Sequence, residues 1–167
     1  MTDIDTWEWF GKRTFHYSQF EPAKLRAAKE RLGLTVSVCL PTRDEAATVG
    51  TIVKTLRRSL LERSRLIDEI VVMDAGSSDD TAAIALAEGA QVFREQDVLP
   101  EEGPGSGKGE ALWKSLHACR GDVICWIDAD VSNFHARFVS GLLGPLLLDP
   151  KVLYVKAFYE RPIRERN

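Results

Sequence analysis

From Leu34 onward, short apolar runs alternate with longer segments of helical periodicity. LTVSVCL (34–40), Ile67 to Met73, AQVFRE (90–95), the run Val123 to Ile127 inside GDVICWIDAD (121–130), and Val152 to Phe158 read as five strands. The apolar residues are largely continuous rather than alternating, as in strands covered on both faces. Between these runs, PTRDEAATVGTIVKTLRRSL places a helix after a short loop. Ser78 is the expected cap of the next helix, with Asp79 and Asp80 in its first turn and Gly89 at its end. Further helices are expected from about Gly109 to Cys119 and from about Phe134 to Leu148. Strands alternating with helices at this spacing predict an α/β fold with a doubly wound, mostly parallel sheet.

Residues 1–33 differ in texture. Trp7, Trp9, Phe10, Phe15, Tyr17 and Phe20 crowd a short span, followed by a helix that starts at Pro22, runs to Arg31 and is ended by Gly33. The aromatic arm is expected to pack on the main domain or on a partner subunit. Domain organisation then reads as an arm and helix (1–33), one α/β domain (34–160) and a polar tail (161–167). That tail, closing directly on the fifth strand, suggests the first half of a longer protein.

Bulk properties narrow the classes. At 167 residues the chain fits one domain with a real core. A formal charge of −3 gives no sign of general nucleic-acid affinity. No apolar run approaches the roughly 20 residues that cross a bilayer. The acidic, aromatic N-terminus lacks the layout of a signal peptide, so a cytoplasmic location is expected. Cys39, Cys119 and Cys125 are an odd number without metal-type spacing and read as buried free thiols.

The chemistry gathers where strands end. In an open α/β sheet, ligands bind in the crevice outside the carboxyl ends of the strands. That edge collects Pro41 to Glu45, Asp74 to Ser77, the glycine-rich loop EEGPGSGKGEALWKSL, and Asp128-Ala129-Asp130. Two carboxylates two residues apart at a strand end suit a hard cation that keeps positions for water and phosphate oxygens; the alternative is a helix cap with a solvated acidic loop. Lys108, just before a helix and among glycines, suits an anion. The loop is not a Walker A motif, because Glu102 stands where its first Gly belongs and Gly109 where Ser or Thr belongs. Glu45 reads equally as a ligand contact or as compensation of a helix N-terminus. Asp74 reads equally as a base or ribose acceptor or as a turn former. His16, His117 and His135 carry no specific signal.

VSVCLPTRDEAATVG, IVVMDAGSSDDT, GKGEALWKSL and GDVICWIDAD together resemble the nucleotide-sugar half of a GT-A glycosyltransferase. The later motifs, with VSNFHARFVSGLLGPLL and VKAFYERP, narrow the resemblance to the glucosyl-3-phosphoglycerate and mannosyl-3-phosphoglycerate synthases, over roughly Leu34 to Pro162. The resemblance implies a retaining transfer of glucose or mannose from UDP-glucose or GDP-mannose to 3-phosphoglycerate, with Mg2+ or Mn2+, in a homodimer. It implies that Pro41, Thr42, Arg43 and Glu45 hold the base, with Asp74 and Ala75 beside base and ribose. The family often has Ser where this chain has Ala75. It further implies Lys108 at the donor phosphates, and Asp128, Ala129 and Asp130 at ribose and cation, with Asp130 the expected direct ligand and Asp128 beside it. Asp128, Asp130 and Lys108 are the catalytic set on this reading. The acceptor loop and a histidine of the metal shell would lie beyond residue 167. The alternatives are another GT-A transferase with a polyprenyl-phosphate or polysaccharide acceptor, or a nucleotide-binding module without turnover.

Overall fold

The computed structural model describes residues 5–103, 105 and 107–158; the expected tail 161–167 lies outside them. Four strands form one parallel sheet in the order β3-β2-β1-β4: β1 (Val36–Thr42), β2 (Glu69–Asp74), β3 (Gln91–Arg94) and β4 (Val123–Trp126). Among the described residues six α-helices accompany them: α1 (Thr6–Arg13), α2 (Pro22–Leu32), α3 (Val49–Leu56), α4 (Thr81–Ala87), α5 (Lys108–Ala118) and α6 (Arg137–Leu148). α3 continues into a π-helical stretch, Arg57–Arg63.

Strand period two sorts the core. Val36, Val38 and Leu40 of β1 and Ile70 and Val72 of β2 join residues of α2, α3, α4 and α6 in one large apolar cluster. Cys39, Val71 and Met73 pack with Ala111 of α5 and Cys119 in a smaller one. The sheet is thus covered on both faces, as the continuous apolar runs predicted. All three thiols are free and buried, and burial pushes Cys125 up to about 12.

Two expectations are corrected. Val152 to Phe158 forms no strand: these residues pair with no neighbour, and Leu153, Tyr154 and Phe158 stand exposed at 89%, 74% and 68%. A strand needs a ladder partner for its N–H and C=O groups, and the described residues supply none beside β4. Ser78 does not cap α4, whose N-cap is Asp80. The hydroxyl and amide of Ser78 instead donate to Asp44 Oδ1, and the Asp79 carboxylate accepts from the Thr81 amide.

The N-terminal arm divides. Trp7 and Trp9 of α1 remain exposed, whereas Phe20 packs against the large cluster and Arg137 of α6 lies 4.6 Å from the centre of the Tyr17 ring. Gly33 ends α2 in a left-handed conformation (φ 67°), as its position predicted.

At the amino ends of the strands a buried polar network ties all four together. Glu69 Oε1 accepts from Ser37 Oγ (2.6 Å) and the Arg120 amide (2.6 Å), while its Oε2 accepts from Gln91 Nε2 (3.1 Å). The Gly121 amide donates to Ser37 Oγ (2.8 Å). A Cβ on Gly121 would sit 2.5 Å from the Ser37 amide nitrogen, so this approach admits glycine alone. Gly121→Ala is expected to destabilise the protein by about 1–3 kcal/mol, read as a lower urea midpoint. An unchanged midpoint would contradict the tight approach.

Candidate functional site

The carboxyl ends of β1, β2, β3 and β4 fall on one edge of the sheet, and a crevice of about 350 Å³ opens there. Its lining contains nine of the residues singled out from sequence: Pro41, Thr42, Arg43, Glu45, Ala75, Lys108, Asp128, Ala129 and Asp130. Asp74 does not line it. That residue is buried at the end of β2, and its Oδ1 accepts from the Ser77 amide (3.2 Å) and from the Ser77 hydroxyl.

The loop after β1 is held by the loop after β2. Asp44 adopts a left-handed conformation (φ 57°), which aspartate tolerates better than most residues. Its Oδ1 accepts from the Ser78 amide (2.7 Å) and hydroxyl (3.0 Å), and its own amide donates to Ser77 Oγ (2.9 Å). The Glu45 amide donates to Thr81 Oγ1 (2.7 Å), and the Ala46 amide to Asp79 Oδ2 (3.1 Å). Asp44 is therefore committed to the fold, while Glu45 lines the crevice.

Beyond β4 the chain stays tethered for one more residue, since the Ile127 amide donates to the Cys39 carbonyl (3.0 Å). Burial then alternates: Ile127 and Ala129 point into the core, and Asp128 and Asp130 are exposed. Thr48, just before α3, donates its hydroxyl to the Ala129 carbonyl (2.6 Å) and so fixes the turn between the two carboxylates. Lys108 occupies the first position of α5, preceded by Gly107 in a left-handed conformation (φ 85°), and pairs with Asp128. Both partners are more than half exposed, so the pair orients the lysine rather than stabilising the fold.

Asp128 and Asp130 are the two carboxylates that the turn after β4 brings to the crevice. Among the described residues no group of three His, Cys, Asp or Glu could hold a metal. His135 is committed elsewhere, its Nδ1 accepting from the Arg137 amide (3.1 Å) at the start of α6. Asp128 and Asp130 thus fit a hard cation that completes its shell from a ligand and water.

Two residues that sequence reasoning passed over also belong here. Glu95, one position past β3, lines the crevice, and its Oε2 is buried with no hydrogen-bond partner among the described residues. Burial and the neighbouring Glu110 carboxylate push the Glu95 carboxyl up, against the pull of Lys114 and Arg43. Lys114 of α5 is fully buried and donates to the carbonyls of Glu95 (3.2 Å) and Gly103 (3.3 Å), with Glu110 3.4 Å away. It anchors the loop between β3 and α5. A lysine on a helix face ordinarily reads as a solvated charge, so nothing in its spacing marked it.

The family model described as glycosyl transferase family 2 matches residues 37–166. Glucosyl-3-phosphoglycerate synthase of Petrotoga mobilis is 48% identical over 153 residues, covering 91% of this chain and 47% of that protein. The crystal structure of mannosyl-3-phosphoglycerate synthase from Rubrobacter xylanophilus superposes with a TM-score of 0.83 at 44% identity, over 87% of this chain and 46% of the other. That of glucosyl-3-phosphoglycerate synthase from Mycobacterium tuberculosis, in complex with Mn2+, UDP and glucosyl-3-phosphoglycerate, gives 0.73 at 42% identity, over 81% and 47%. The chain spans about half the length of the relatives it matches.

The loop clamp carries a pH signature. Hydrogen bonds from the Ser78 amide and hydroxyl hold the Asp44 carboxyl below its ordinary value. A depressed folded pKa contributes stability that is present above the unfolded value of 3.8 and is lost as pH falls through the lower folded value. Asp44→Asn is therefore expected to flatten the acid limb of the stability profile below about pH 4. Acid titration followed by circular dichroism checks this, and identical limbs in the two proteins would contradict the clamp.

Proposed function

The chain belongs to glycosyl transferase family 2, and on that premise we propose that it forms the donor half of an enzyme transferring glucose or mannose from a nucleotide sugar to 3-phosphoglycerate. One observation carries the reading. The strand-end crevice brings Lys108, Asp128 and Asp130 together with Pro41 to Arg43, Glu45 and Ala75.

Each group then has a role. The loop Pro41 to Glu45 and Ala75 flank the base, and a methyl at Ala75 leaves recognition there to backbone groups. Asp128 faces the ribose, and Asp130 binds Mg2+ or Mn2+. When bound, the cation neutralises charge on the diphosphate oxygens as a Lewis acid. Lys108, at the N-terminus of α5, adds its ammonium and the helix-end amides on the same anion, which favours departure of the nucleoside diphosphate. The anomeric carbon–oxygen bond to the diphosphate breaks and a bond to the acceptor hydroxyl forms. With retention, attack comes from the leaving-group side, so the acceptor proton passes to the departing diphosphate. Relatives named for both sugars support the hexose and acceptor class without separating UDP-glucose from GDP-mannose.

The reading places the activity in the cytoplasm, in keeping with three free buried thiols. No helix among the described residues is long and apolar enough to cross a membrane. The exposed tryptophans of α1 are the surface this reading offers for a homodimer.

Incubating the whole gene product with 3-phosphoglycerate and either donor, with Mg2+ or with chelator, tests the proposal. Metal-dependent release of UDP or GDP only when 3-phosphoglycerate is present is the expected result; release that ignores the acceptor would overturn it. Asp130→Ala should abolish metal-dependent donor binding, and near-normal binding would remove the cation assignment. Lys108→Ala should weaken nucleotide-sugar binding by about 10-fold or more while sparing nucleoside binding. Equal losses would move Lys108 away from the phosphates.

A further inference from the structure

Sheet order gives the crevice a direction. The Asp128–Asp130 turn follows β4 at one edge, and Glu95 follows β3 at the other. Three strand spacings separate them, roughly 14 Å at about 4.8 Å each. With the diphosphate at the β4 end, the base of the nucleotide lies across β1 and β2 and reaches toward β3.

Glu95 is the residue at that far end whose chemistry is unspent. It lines the crevice, and Oε2 is buried with no hydrogen-bond partner among the described residues. Its main-chain carbonyl is fixed by Lys114, itself fully buried, so the backbone that carries the carboxyl is held in place. The charged neighbours are Glu110 and Lys114 on α5, Arg43 after β1 and Asp74 at the end of β2. None of them gives Oε2 a partner.

We propose that Glu95 selects the base of the donor nucleotide, accepting a hydrogen bond from the ring N–H of uracil or guanine. An ionised carboxylate has acceptors and no donor. Uracil presents N3–H and guanine N1–H at this edge, whereas cytosine and adenine present a bare ring nitrogen. Opposing two acceptors leaves the ring nitrogen unpaired, so cytidine and adenosine donors bind more weakly. The ring N–H also supplies the missing partner to the Glu95 carboxylate.

The inference rests on the donor-site reading above, and nucleotide binding separates the two. Calorimetry with Mg2+ would compare UDP and CDP on the wild-type protein, Glu95→Gln and Glu95→Ala. The wild type is expected to prefer UDP by at least about 30-fold. A glutamine offers both a carbonyl acceptor and an amide donor, so Glu95→Gln should keep UDP binding and gain CDP binding. That change narrows the preference by about 10-fold or more. Glu95→Ala should lose the preference through weaker UDP binding alone. UDP binding with a UDP-to-CDP ratio unchanged in both variants would overturn the role of Glu95 and leave the donor site standing. A wild-type protein that binds neither UDP nor GDP would overturn the donor site and this inference with it.

Discussion

The structure depends on β1 being paired on both edges. Its register with β2 sets Thr42 beside Asp74, and its register with β4 sets Cys39 beside Trp126. Parallel strands aligned this way must end on the same side, so the loops after them meet whether or not their side chains attract one another. The Glu69 network secures the same alignment from the opposite end, where a single carboxylate accepts from groups next to β1, β3 and β4. Breaking that alignment would separate Lys108 from Asp128 without touching either residue.

On that scaffold, precision at the crevice comes from hydrogen bonds between loops. Thr48 ties the start of α3 to the Ala129 carbonyl, and Asp44 and Ser78 join the loops after β1 and β2. These contacts fix backbone. They leave Glu45 and Asp130 lining the crevice, with Lys108 paired to Asp128 beside them. Residues spent on the loops are thus separate from those that line the crevice.

Much of this was legible in the chain. The apolar runs of β1, β2 and β4 are long enough to be read directly, and Gly33 and Gly89 mark helix ends through their left-handed conformations. Asp128 and Asp130 were readable because a hydrophobic strand delivers them to the sheet edge. The segment Val152 to Phe158 misled because β-propensity records side-chain fit, whereas strand formation needs a partner ladder. Ser78 misled because Asp44, 34 residues away, competes for its hydroxyl. Glu95, Thr48 and Lys114 carried no local pattern at all; their meaning comes from contacts across the sheet edge.

The central claim is a nucleotide lying across the sheet edge, phosphates toward β4 and base toward β3. Paramagnetic broadening of backbone NMR signals by Mn2+ in the presence of UDP tests it most directly. The account predicts strong broadening at Lys108 and Asp128 to Asp130, with Ala75 and Glu95 shifted by the uracil ring but broadened far less. Broadening centred on Ala75 and Glu95, or UDP-dependent shifts confined to another surface, would contradict it.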